Sequence, residues 1–225
     1  VIRVRKLIFP ILLALSGTAI LISLGVWQIQ RLQWKTAILA QIETEIAAPP
    51  VAVPAAPDAT TDRYLPVTAT GTLTGDVLHV LVSTEENGAG YRTVSAFETD
   101  GRRVLLDLGF VGFDDRDIAL PAGEITVTGN LLWPDEVDGF TPDPEPTGLW
   151  FARDADAMSA ALGTEPFFIV ARDIQPGSPT VPMPVGTSGI PNDHLSYAVT
   201  WFLLALGWLA MSGLFIFRTL RPKEH

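Results

Sequence analysis

Hydrophobic and polar positions alternate in three different ways along this chain, and each change marks an architectural border. Leu7 to Trp27 and Leu195 to Phe217 are nearly unbroken apolar runs. Either is long enough to cross a hydrocarbon core of about 30 Å as a helix, which takes roughly 20 residues. Between them the pattern becomes short and β-like. Residues 67–73, 77–82, 91–97, 104–111 and 124–132 are β-branched or apolar runs bounded by Gly- and Asp-rich turns, and they predict strands. Asp100-Gly101 joins two of them as a hairpin turn. Asp154 to Leu162 predicts a helix with Asp154 as its N-cap and Gly163 as its stop. Phe167 to Val170 predicts a last strand.

The connecting stretches complete the layout. Leu32 to Ile46 continues the first span as a helix. Ala47 to Thr60 holds Pro49, Pro50, Pro54 and Pro57 and reads as a stiff, extended tether. The expected organisation is an N-terminus at 1–6, a transmembrane helix at 7–28, its helical extension at 29–46 and the Pro/Ala-rich tether at 47–60. A β domain at 61–175, a Pro/Gly-rich return at 176–193, a second transmembrane helix at 194–217 and a C-terminus at 218–225 follow. The fold class is therefore membrane α + β. Two transmembrane helices flank a mainly antiparallel, barrel- or sandwich-like external domain with one short helix, large enough for its own core.

Charge orients this layout. Arg3, Arg5 and Lys6 precede the first span and Arg218, Arg221 and Lys223 follow the second, against Arg31 and Lys35 just inside the loop. The positive-inside bias places both termini in the cytoplasm and the domain across the membrane. Ala14-Leu15-Ser16, a small-x-small triplet, falls inside the first run rather than after it, so the run reads as a retained anchor. Of the 25 acidic residues, 24 lie between Glu43 and Asp193, with seven Arg and no Lys. That balance argues against nucleic acid or anionic lipid as the domain's partner and favours a basic protein surface.

Candidate chemistry is sparse. With no cysteine there is no thiolate nucleophile, CxxC redox site, thiol copper relay or CxxCH haem attachment. GxSxG, GxGxxG and P-loop motifs are absent as well, and no covalent catalysis is expected. Asp114-Asp115 and Asp135-Glu136 read as solvated loop charges, and His79 as a structural residue of a strand. His194 stands apart. On a helix running onward from it, Tyr197, Trp201 and Trp208 fall within about 60° of it, with Ala198, Ala205 and Ser212 alongside leaving space. This stripe suits an axial imidazole and aromatic walls for a haem. It equally suits an interfacial aromatic belt on a closely packed helix. Trp27, Arg31, Trp34 and Lys35 share one face of the first helix where it leaves the membrane. Those cations could bind haem propionates or lipid phosphates.

Both borders resemble the surfeit locus 1 family, the assembly factors of haem-copper cytochrome oxidase. Gly25-Val26-Trp27-Gln28-Ile29-Gln30-Arg31-Leu32-Gln33-Trp34-Lys35 looks like its post-membrane signature, and Pro191-Asn192-Asp193-His194-Leu195-Ser196-Tyr197-Ala198-Val199-Thr200-Trp201 like the start of its second span. Gly90-Tyr91-Arg92-Thr93-Val94 and Gly129-Asn130-Leu131-Leu132 resemble family segments more loosely. Asp107, Leu108 and Phe110 depart from an Asn-Arg-Gly-Trp core, and Asp193 stands in place of Asn. The resemblance implies a cytochrome c oxidase assembly factor in a bacterial cytoplasmic (inner) membrane, with its domain in the periplasm. It implies haem a as transient cofactor with His194 as the iron's axial ligand. Tyr197, Trp201, Trp27, Arg31 and Lys35 are then the candidate cofactor-binding neighbours. Expected partners are the catalytic subunit, the haem a synthesis machinery and membrane lipid. The alternatives are a docking scaffold or accessory subunit that never touches haem, and a membrane-tethered sensor or enzyme.

Overall fold

The computed structural model describes residues 2–220, with side chains from Leu7 onward. The orienting charges Arg3, Arg5, Lys6, Arg221 and Lys223 lie outside the described side chains. In chain order the elements are α1 (Ile2–Ile46), β1 (Val51–Ala52), β2 (Pro66–Thr84), β3 (Gly88–Thr99), β4 (Arg102–Gly112), β5 (Glu124–Leu132), β6 (Leu149–Trp150), α2 (Ala155–Leu162), β7 (Glu165–Gln175) and α3 (His194–Leu220). The chain divides into two compact units, Val1–Gln41 with Ser188–His225, and Ile42–Thr187.

The first unit is a helical pair. α1 runs 45 residues without a break, so the first span and its extension are one helix. The apolar windows of α1 and α3 have mean hydropathy 2.4 and 1.9, and only 6% of each is buried by the protein itself. Core helices of a globule cover their apolar surface; these leave it bare and are long enough to cross a membrane.

The second unit is a mixed sheet with one short helix. β3 pairs antiparallel with β2 and β4, β7 pairs parallel with β4, and β5 pairs antiparallel with β7. β5 also pairs antiparallel with β2, so the path returns to its start. The parallel β1–β2, β2–β6 and β4–β7 contacts make the sheet mixed rather than antiparallel throughout. β2 pairs with both β5 and β3 because it is long: 66–72 face β5 and 72–84 face β3, with a register break between Leu73 and Val77. Gly75, at φ 88°, lies in that break, and the two runs read separately in the sequence are one bulged strand. Asp100 and Gly101 form the expected hairpin turn, both with positive φ. Asp154 caps α2 by accepting from the Ala157 N–H at 2.9 Å, and Gly163 closes it in the left-handed region.

Within the Pro/Ala stretch, Val51-Ala52-Val53 is a β-competent tripeptide between prolines. β1 pairs with β2 at Val51–Val67 and Ala52–Thr68, Val53 packs on the core, and Arg102 donates to the Pro54 carbonyl at 2.7 Å. This part of the expected tether is docked on the sheet.

β4 explains its own apolar run by being covered on both faces. Val104, Leu106 and Leu108 enter one cluster with Val67, Phe97, Val127 and Ile169. Leu105 enters the other with Phe168, Val170 and Met158 of α2. In its middle sits Asp107, fully buried. Its Oδ2 accepts from Arg92 Nη1 at 2.5 Å and Arg153 Nη1 at 3.0 Å, and Oδ1 accepts from the Gly109 N–H at 3.1 Å. Arg153 Nη2 also donates to Glu136 at 2.5 Å. One carboxylate thus joins β3, β4 and the segments carrying residues 136 and 153.

Acid should loosen this unit. Burial works to raise the Glu136 pKa, but the hydrogen bonds and charge of Arg153 outweigh it and hold the carboxyl below its usual range. Arg102 does the same for Glu165 through hydrogen bonds that outweigh burial. A carboxyl with a depressed folded pKa contributes fully above the unfolded value, near 4.5, and loses that contribution as pH falls through the folded value. Unfolding midpoints should therefore drop below about pH 4.5, and less steeply in Glu136→Gln. Equal slopes in the two proteins would contradict this.

Candidate functional site

α3 begins after a turn at 188–189 and Pro191-Asn192, and the Asp193 carbonyl closes the first turn by accepting from the Tyr197 N–H at 3.2 Å. That fixes His194 as the first helical residue. Its Nδ1 lies 2.8 Å from Oε1 of Gln28, a glutamine only 8% exposed on α1. An amide oxygen can only accept, so Nδ1 is the donor, and in the neutral ring this leaves the lone pair on Nε2. Among the described residues no hydrogen bond occupies Nε2. An imidazole locked in this tautomer by its other nitrogen has the arrangement of a metal ligand.

Two turns beyond Gln28, Lys35 donates to the Pro191 carbonyl and ties the approach to α3 back to α1. Arg31 lies 4.6 Å over the ring of Trp34, its neighbour on the same helix. The site thus has one hydrogen-bonded imidazole, one cation used to hold backbone, and one exposed cation stacked on a ring. No group of three or more His, Asp or Glu side chains gathers to hold a metal ion among the described residues. The available metal chemistry is that of a single imidazole.

The aromatic stripe divides. Trp201 and Trp208 are half-buried in line with His194, whereas Tyr197 is 57% and Trp27 49% exposed, turned outward. Ala198 and Ala205 are 1% and 4% exposed. The space expected beside these alanines is closed, because small side chains let a helix pair draw together. Farther along, Trp208 Nε1 donates to the Ala14 carbonyl at 3.1 Å, and its ring occupies the place a Cβ on Gly17 would need. Beside that ring is an apolar cavity of about 420 Å³. Gln28 is the neighbour of His194 that spacing alone missed. It stands 166 residues from His194, and its only sequence signal is its place in the Trp27-Gln28 border.

A family model described as the SURF1 family matches residues 15–206. The chain belongs to the SURF1 family. Among its SURF1 relatives, Surfeit locus protein 1 of Homo sapiens is 30% identical over 222 residues, covering 87% of this chain and 73% of its own. Surfeit locus protein 1 of Rattus norvegicus is 29% identical over 218 residues, 85% and 70% of the two chains. The SURF1-like protein of Rickettsia felis is 26% identical over 211 residues, 89% of this chain and 93% of its own. The SURF1 match spans Gln28, His194 and the whole sheet between them.

Proposed function

We propose that this SURF1-family protein is a membrane-bound assembly factor for haem-copper cytochrome c oxidase. On this reading it holds haem a at the membrane interface and aids its delivery to, or stabilisation in, the catalytic subunit. The observation that carries the proposal is the Gln28–His194 hydrogen bond, which fixes one imidazole with Nε2 unengaged beside a helical pair of membrane length. The donor set fits haem: one imidazole for the iron, Trp201 in line with it, and Arg31 available to a propionate. When bound, haem a would supply an iron centre that the His194 imidazole would hold.

The chain's own residues do the positioning. Gln28 orients the imidazole, Lys35 fixes the approach to α3, and the bare apolar faces of α1 and α3 keep the site in lipid. A single histidine ligand suits a carrier, because two would resist release. The protein performs no covalent step. Both termini lie in the cytoplasm of a bacterium, and the acidic domain faces the periplasm, where it meets basic surface on the oxidase or on the haem a synthesis machinery.

The test is an optical and pigment-extraction assay on full-length protein purified from cells that synthesise haem a. A haem a spectrum with extractable pigment is expected. Colourless protein from those cells, still carrying oxidase subunits, would overturn the haem reading and leave a scaffold or accessory subunit that acts by docking alone.

A further inference from the structure

The cavity beside Trp208 is lined by Phe9, Leu13, Trp208, Met211, Ser212 and Phe215, together with Pro10 and Ala14. It holds no charged group. Its position relative to His194 is the informative feature. On α3, Trp201, Trp208 and Phe215 follow His194 at steps of seven residues and fall within about 60° of it. The near wall, Trp208, stands about 21 Å along the helix from the imidazole. A file of rings therefore leads from the His194 imidazole to an apolar chamber on the same face, open on one side, where Phe9, Met211 and Phe215 stay exposed.

We infer that this chamber seats the isoprenoid tail of a haem held at His194, and that it makes the site selective for tailed over untailed haems. The inference rests on the haem reading given above. Haem a carries a long farnesyl-derived chain on the edge of its macrocycle; haem o carries the same chain, and haem b carries none. The macrocycle's radius and an extended farnesyl chain together cover a distance of the order that separates His194 from Trp208. The lining suits branched hydrocarbon: aromatic faces from Phe9, Trp208 and Phe215, and a pliable thioether from Met211. Lipid and detergent are as apolar as the chamber, so selectivity comes from shape and dispersion contact rather than from escape from water. The expected preference is accordingly modest, about tenfold in Kd.

The experiment titrates the purified full-length protein in one detergent with haem a, haem o and haem b, reading Kd from the Soret band. Wild type should bind haem a and haem o about tenfold more tightly than haem b. Ser212→Phe, which fills the chamber, should abolish that preference while leaving haem b affinity unchanged; retained haem b binding also reports an intact helical pair. Equal Kd for all three haems in wild type would overturn the tail seat and leave ligation at His194 standing. A preference that survives Ser212→Phe would overturn it too, by placing the tail elsewhere. Failure of all three haems to bind would remove the haem reading itself, and the tail seat with it.

Discussion

Asp107→Ala should cost the sheet unit about 3–5 kcal/mol of unfolding free energy, the largest stability loss expected of a single substitution here. Asp107 is completely buried, and the side chains of Arg92 and Arg153 are each only 12% exposed. Removing the carboxylate leaves Arg153 with Glu136 but strands Arg92, whose only ion-pair partner among the described residues is Asp107. A guanidinium that is neither hydrated nor paired is the dominant penalty, and the freed Gly109 N–H adds to it. Denaturant unfolding of the full chain, followed by circular dichroism, measures this. In the Asp107→Ala background, Arg92→Leu should cost much less than in wild type, because the stranded charge leaves with it. A loss below about 1 kcal/mol for Asp107→Ala would show that the carboxylate is not the hub its contacts make it.

The second large effect separates ligand from positioning. His194→Ala should remove haem a from the purified protein altogether, whereas Gln28→Leu should retain it with about 10–100-fold weaker binding. Leucine keeps the volume of Gln28 but leaves Nδ1–H with no acceptor and the ring without its tautomer lock. The variants should therefore differ in kind: loss of the spectrum in one, a weakened and broadened spectrum in the other. Titration with haem a, read at the Soret band, distinguishes them. Identical wild-type affinity in Gln28→Leu would mean that the ring is oriented by something other than α1.

Local features of the fold were legible in the sequence because their causes are local. The Asp100-Gly101 turn and the Asp154-capped, Gly163-terminated helix each need only a few adjacent residues. The merging of two runs into β2 was not legible, since a bulge at Gly75 resembles a turn until a partner strand is present. Composition concealed β1: four prolines suggest a tether, yet Val51-Ala52 needs only the edge of β2 to pair. Asp107 read as a departure from a family core, because its partners lie 15 and 46 residues away and meet only through the sheet. At the site, periodicity placed Trp201 and Trp208 in line with His194 and put Tyr197 there as well, where the helical pair turns it outward. No single-helix pattern could reveal Gln28, because its role is defined across the pair.

The same pair carries a second bond whose spacing has a mechanical meaning. Gln28 meets His194 and Ala14 meets Trp208, so the two crossings are separated by 14 residues on α1 and by 14 on α3. Equal intervals on antiparallel helices are the condition for both bonds to close at once. A slip of one helix along the other would open both bonds together. The two helices therefore behave as a two-pin latch rather than as a sliding joint: a rigid pair that can tilt or rotate as one body while the imidazole keeps its aim.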